Sequence, residues 1–276
     1  IRGNKLNGTS FIPNAIKNGS KIIISEHKNE GLKNNILYIK TKNIRKLLAE
    51  ISFKIYNKIP KNIIAVTGTN GKSSVANFYY QILNLNKKKV AAIGTLGVRS
   101  NSINLDLTNT TIDPIQLGQI LKKLKEHKIN DVILEASSHG LKQNRLDGLQ
   151  FNSGIFTNLS QDHLDYHKNL NNYLKAKLYL FENLVRKKGN VITDNEIPQF
   201  NKIKKISKKK HFKLHIINEK KNNFRVLAHS FKEETQILKV KLKKSIKYIN
   251  LNLIGKVQLK NLYMAIIAAE KSNLDL

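Results

Sequence analysis

The chain has 276 residues, no cysteine, 40% hydrophobic and 25% charged residues, and a formal net charge of +30. That length suits two domains, and the composition excludes a disordered chain, a disulfide framework, a cysteine nucleophile and any Cys-ligated zinc or iron–sulfur site. No apolar run reaches the roughly 18 residues of a membrane span, and Ile1-Arg2-Gly3-Asn4-Lys5 lacks the apolar segment of a signal peptide. A cytoplasmic protein without membrane insertion is expected, cut upstream because no initiator Met is present. Of the 49 basic residues only Arg2, Arg45, Arg99, Arg145, Arg186 and Arg225 are arginine. Nucleic-acid readers lean on the planar arginine fork and on stacking aromatics. The densest lysine stretch, 202–213, has no aromatic before Phe212. It reads as a solvated face, with no nucleic-acid partner expected and a role at most in attracting anionic substrates.

Phe11-Ile12-Pro13 leads into a short helix, and Lys21–Ser25 and Asn35–Ile39 read as strands. Leu47, Leu48, Ile51 and Ile55 recur at helical spacing over 41–56, with Thr41 as the candidate cap. Asn57–Lys61 reads as a linker, with Pro60 ending the helix. Beyond it, the apolar run Asn62–Val66 suits a parallel strand buried on both faces. Further strands are predicted at 90–93, 131–135, 154–157 and 190–193, with helices near 73–85, 114–128, 171–185 and 196–206. This alternation predicts an α/β fold with a mainly parallel, doubly wound sheet. Residues 213–217, 224–230, 235–241 and 246–254 read as a smaller β-rich, antiparallel subsheet, closed by a helix over 258–269.

The strongest local signal is Gly68-Thr69-Asn70-Gly71-Lys72-Ser73-Ser74, after a buried strand and opening a helix. Small residues there let backbone N–H groups close around phosphate oxygens at a helix N-terminus. Lys72 would reach the terminal phosphates and Ser73 could ligate Mg²⁺. Only two residues separate Gly68 from Gly71, where the usual phosphate loop has four. Glu135 ends a strand of the same sheet. Alone it reads as a surface carboxylate; beside a phosphate loop it becomes a candidate Mg²⁺ ligand. Asp162, His163, Asp165 and His167 follow another strand, though their spacing is not a zinc signature. Three such elements at neighbouring strand ends argue for an ATP-using enzyme, and composition and spacing take the reading no further.

These residues resemble the Mur ligase family, in its UDP-N-acetylmuramoyl-tripeptide synthetase branch. The resemblance rests on the short phosphate loop and on four further stretches: Asn109–Pro114, Glu135–Arg145, Phe156–His167 and Tyr173–Phe181. It covers essentially the whole chain, including Gly3–Ile16. It implies an ATP-dependent amide ligase that adds the third amino acid, meso-diaminopimelate or L-lysine, to UDP-N-acetylmuramoyl-L-alanyl-D-glutamate. Residues 1–57 would be a UDP-substrate domain incomplete at its start, and 58–276 the central ATP domain. A C-terminal amino-acid-binding domain would be absent, leaving a monomeric fragment inactive alone.

By the same resemblance, residues 68–74 bind ATP, while Asn109, Thr110, Thr111, Ser137, Gln143 and Arg145 bind the muramoyl dipeptide. Ser73 and Glu135 match ligands of one Mg²⁺, and His163 a ligand of a second. Lys177 matches a lysine carbamylated by CO₂ that also holds metal. Lys72, Lys177 and His163 are thus the candidate catalytic residues. Gln258 and Asn261 match the adenine-contacting stretch, although this chain has Val257-Gln258 where the family has His-Asn. Two alternatives stay open: another ligase of the same superfamily, and a non-catalytic nucleotide- or nucleic-acid-binding fragment.

Overall fold

In the computed structural model, the described residues are 7–26, 30–220, 222–232, 235–253 and 255–274. Residues 3–6 of the resemblance and residue 254 of the last predicted strand lie outside them. The described residues open with a 3₁₀ turn (Gly8–Phe11), a short helix α1 (Ile12–Lys17) and a three-stranded sheet. β1 (Ile22–Ser25) pairs in parallel with β3 (Ile36–Lys40), and the unpredicted β2 (Gly31–Lys33) pairs with β3 antiparallel. Helix α2 (Ile44–Ile55) follows. Its cap is Asn43, not Thr41: the Asn43 side chain accepts a hydrogen bond from Lys46 N at 3.0 Å. The helix also ends at Ile55, ahead of Pro60.

β4 (Asn62–Thr67) leads through the glycine-rich turn into α3 (Lys72–Leu85). β5 (Val90–Gly94), β6 (Gly97–Ser100), α4 (Pro114–Glu126) and β7 (Asp131–Glu135) come next. Then follow α5 (Ser138–Lys142), β8 (Phe151–Phe156), α6 (Leu164–His167) and α7 (Leu170–Tyr179). A π-helical turn over Leu180–Leu184 cuts short the helix predicted to 185. β9 (Val185–Thr193) is accordingly longer than its apolar end alone suggested. α8 (Phe200–Lys210) follows, its lysines exposed around buried Ile203 and Ser207, as a solvated basic face requires.

Among the described residues, seven strands form the main sheet in the order β10-β9-β8-β4-β7-β5-β6, where β10 is Lys213–Ile216. β10 pairs in parallel with β9, so residues 213–216 belong to this sheet and not to the β-rich subsheet. Its Leu214 and His215 continue the β9 edge, a placement that a four-residue run cannot reveal by itself. β6 is the one antiparallel strand of this sheet among the described residues. The separate subsheet joins β11 (Phe224–Lys232), β12 (Thr235–Leu242) and β13 (Ser245–Leu251), all antiparallel. α9 (Gly255–Glu270) closes the described chain.

β4 is central and fully flanked, which explains its continuous apolar run. Its side chains alternate between two cores. Ile63 and Ala65 face the layer holding α2, α4, α7 and α8; Ile64 and Val66 face α3, α9 and the subsheet. The chain turns to β5 and β7 on one side of β4 and to β8 and β9 on the other. A doubly wound sheet opens its ligand crevice at the carboxyl edge of that switch point.

Candidate active site

The loop after β4 sits in that crevice. Gly68 and Gly71 have positive φ, +154° and +86°, and both are closely covered. A Cβ on Gly68 would strike Thr157 Oγ1, and one on Gly71 would meet Asn261 Oδ1 at 2.5 Å. The loop is pinned to the end of β8 by Asn158. Asn70 N donates to Asn158 Oδ1 at 3.0 Å, and Asn158 Nδ2 donates back to Asn70 O at 3.1 Å. Thr157 Oγ1 adds a 2.6 Å bond to Asn70 O. Thr69 Oγ1 receives Ser160 N at 3.0 Å and the Tyr173 hydroxyl at 3.3 Å. Thr157, Asn158 and Tyr173 lie within the motif stretches, but nothing in their spacing marks them as braces of the loop.

Two lysines converge on the loop. Lys72 Nζ donates to the carbonyls of Gly68 (3.0 Å) and Thr69 (2.8 Å). Lys177, on α7, is 1% exposed. Its Nζ donates to Gly68 O at 2.7 Å and lies 4.2 Å from the Tyr173 ring centroid. Burial, reinforced by the Lys72 charge, lowers the Lys177 pKa to about 6. At neutral pH its amine is therefore mostly uncharged. Burial also lowers the Lys72 pKa, opposed by Glu135 and Asp162.

The Ser73 hydroxyl donates to Glu135 Oε2 at 3.0 Å. Glu135, buried at the end of β7, also accepts from Thr95 N at 3.0 Å and from Thr95 Oγ1 at 3.3 Å. Thr95 belongs to no motif, so sequence reading misses it. Thr95 Oγ1 contacts Thr110 Oγ1 at 3.0 Å. Ser73 and Glu135 offer the hard oxygens that Mg²⁺ prefers. Ser74 is half-buried in the first turn of α3. Asn261 lies buried against Gly71, and its Nδ2 donates to Gln258 Oε1 at 3.2 Å, so one candidate adenine residue stands beside the loop and holds the other.

The candidate substrate residues divide. Asn109, Gln143 and Arg145 line a cavity of about 230 Å³. Arg145 Nη1 donates to Thr111 O at 2.5 Å. Thr111 is buried, its hydroxyl donating to Glu135 O and accepting from Ser137 N, so its side chain ties β7 to the next turn. The Ser137 hydroxyl caps α5 by accepting from Gly140 N at 3.1 Å. His163 is half-exposed and at φ +51°, 3.5 Å from Asp162, and its ring lies 6.1 Å from that of Tyr173, the ring that Lys177 also approaches. Its ring meets His139 edge-on at 4.9 Å between centroids. His167 is fully buried, its Nε2 3.0 Å from Ser138 Oγ. Among the described residues no group of three or more His, Cys, Asp or Glu is arranged to hold a metal by itself. Nor is any helix there long and apolar enough to cross a membrane.

Comparison with known proteins gives a consistent result. Residues 66–269 match the Mur ligase middle domain. The chain is 37% identical over 279 residues to the UDP-N-acetylmuramoyl-L-alanyl-D-glutamate–2,6-diaminopimelate ligase of Rickettsia prowazekii, covering 99% of this chain and 55% of that protein. A solved structure of a ligase of the same name superposes with a TM-score of 0.81 at 26% identity, over 96% of this chain and 54% of the other. The MurF ligase of Thermotoga maritima in complex with ADP shares the fold, with a TM-score of 0.62 at 16% identity over 100% and 60%. The chain spans about half the length of the curated relatives it matches.

Proposed function

This chain belongs to the Mur ligase family, and from that premise we propose that it carries the ATP-dependent activation step of an amide ligase of peptidoglycan precursor synthesis. The substrate is UDP-N-acetylmuramoyl-L-alanyl-D-glutamate. The amino acid added is 2,6-diaminopimelate, the one named for its relatives. Residues 1–57 serve the UDP substrate and 58–276 serve ATP. The protein works as a monomer in the cytoplasm, without membrane insertion and with no nucleic-acid partner.

The observation that carries this reading is the convergence of Lys72, a neutral buried Lys177 and the Ser73–Glu135 pair on one loop. A cavity containing Arg145 lies at the neighbouring strand end. A carboxylate is a poor electrophile. The substrate's γ-carboxylate oxygen attacks the γ-phosphorus of ATP, ADP leaves, and an acyl phosphate forms. The incoming amine then attacks that carbonyl carbon, loses a proton, and phosphate departs.

Residues 68–74 cradle the phosphates, and Lys72 neutralises their charge. Gln258 and Asn261 face the adenine. Asn109, Thr110, Thr111, Ser137, Gln143 and Arg145 form the dipeptide side, and Arg145 suits an anion through its bidentate fork. Ser73 and Glu135 would hold one Mg²⁺; His163 and a carbamate on Lys177 would hold a second. Such ions supply charge neutralisation of the transferring phosphoryl group. An uncharged amine is what carbamylation requires: the nitrogen attacks CO₂ and releases a proton, turning a neutral amine into an anionic carbamate. Calorimetric titration with Mg-ADP and then with the UDP-linked dipeptide tests the reading. Saturable binding of both supports it, and failure of either ligand to bind contradicts it.

A further inference from the structure

Gln143 is buried, and its amide is oriented by donation from Nε2 to the Tyr166 hydroxyl at 3.2 Å. Its Oε1 accepts from Arg145 Nε at 3.1 Å and Nη2 at 2.8 Å. It also accepts from Arg45 Nη1 at 3.3 Å. Two guanidinium groups thus share one neutral oxygen, with three donors on two lone pairs. After burial, the Arg45 charge is the main influence holding the Arg145 pKa below its usual value. Like charges held this close favour an anion between them.

Arg45 comes from a different part of the chain than Arg145. It stands on α2, whose attachment is built on both sides. Asn43 Nδ2 donates to Asn144 Oδ1 at 3.0 Å. Gly148 has φ +93°, and a Cβ there would come within 3.0 Å of the Glu50 backbone. Gln119 Nε2 donates to the Tyr56 hydroxyl at 3.1 Å. Arg45 and Leu48 of α2 form one wall of the same 230 Å³ cavity that Asn109, Asp113 and Arg145 line. The neighbouring carboxylate, Asp113, caps α4 by accepting from Ile115 N and Gln116 N.

We propose that Arg45, delivered by α2, forms with Arg145 a two-guanidinium clamp for an anionic group of the substrate, a carboxylate or a phosphate. The inference rests on the substrate reading above and adds to it a binding residue from the N-terminal unit. It makes the seating of α2 a condition of substrate affinity.

The test is titration of the unaltered chain, Arg45→Gln, Arg45→Lys and Arg145→Gln with UDP-N-acetylmuramoyl-L-alanyl-D-glutamate. Mg-ADP affinity and thermal melting serve as controls. Arg45→Gln retains a donor for Gln143 but no charge. It is expected to weaken the dipeptide substrate at least tenfold without changing Mg-ADP affinity, while Arg45→Lys retains part of the binding. Repeating the titration with the sugar dipeptide lacking UDP, and with UDP-N-acetylglucosamine, identifies the anion. A loss confined to the first assigns a carboxylate, and a loss confined to the second assigns the diphosphate. Unchanged substrate affinity in both Arg45 variants, with Arg145→Gln weakened, overturns the clamp but not the substrate reading. No binding by the unaltered chain overturns both.

Discussion

Lys177 donates its ε-amine to the carbonyl oxygen of Gly68 at 2.7 Å, joining α7 to the first glycine of the phosphate loop. With a pKa near 6 and no access to bulk water, it is a primary amine in the state that reacts with CO₂. The expected outcome is a carbamate carbonyl resonance when the chain is equilibrated with ¹³C-bicarbonate at pH 8, absent from Lys177→Met. Lys177→Ala should lose acyl-phosphate formation and regain part of it with a small added carboxylate. A spectrum without that resonance, or full turnover without CO₂, removes the carbamate from the mechanism.

Lys72 stands over the loop carbonyls, where a phosphate would replace two weak acceptors with a charged one. Lys72→Ala should lower Mg-ADP affinity by a factor of ten or more and abolish turnover. The melting temperature should hold or rise, because a half-buried cation is removed. Turnover in that variant equal to the unaltered chain contradicts the loop assignment.

Gly71 carries φ +86° and leaves no room beneath Asn261. Gly71→Ala should destabilise the chain by about 1–2 kcal/mol and displace Asn261 from the candidate adenine side. Denaturant unfolding and Mg-ADP titration measure the two effects. Unchanged values in both would show that the loop tolerates a side chain there.

His167 supplies a pH signature. Burial first, then the charges of Lys142 and other neighbours, lowers its pKa to about 4. Its buried Nδ1 has no hydrogen-bond partner among the described residues, so a second proton would have no acceptor. Between pH 6.5 and about 4 the unfolded chain binds this proton and the folded chain does not. Stability therefore falls as pH drops through that window, by at most about 3 kcal/mol, and levels off below it. His167→Phe should flatten this part of the curve. A variant with the same pH dependence as the unaltered chain assigns the effect elsewhere.

Much of the main sheet was legible because its buried parallel strands are near-continuous apolar runs, as in Ile63–Val66 and Val132–Leu134. The phosphate loop was legible because its glycines and Lys72 are local. Short edge strands were not: Gly31–Lys33 and Gly97–Ser100 are brief, carry no alternating pattern, and form only as arms of tight hairpins with β3 and β5. At 213–217 the strand is legible but its sheet is not, because the partner of Lys213–Ile216, β9, begins 28 residues earlier. Within the site, Glu135 was legible as a strand-end carboxylate beside the loop, the role of Lys177 entered through motif resemblance, and the geometry adds the burial and contacts of both. Thr95, Thr157 and Asn158 act by tertiary contact alone, and no periodicity marks such contacts.

Activation of a carboxylate by ATP on this chain can be caught by hydroxylamine trapping. The chain is incubated with Mg-ATP, bicarbonate and UDP-N-acetylmuramoyl-L-alanyl-D-glutamate, without any amino acid. Hydroxylamine attacks an acyl phosphate, releasing phosphate and leaving a hydroxamate. A dipeptide hydroxamate is expected with one ADP per product, absent from Lys72→Ala. Binding of both ligands with no hydroxamate and no ADP would contradict that activation.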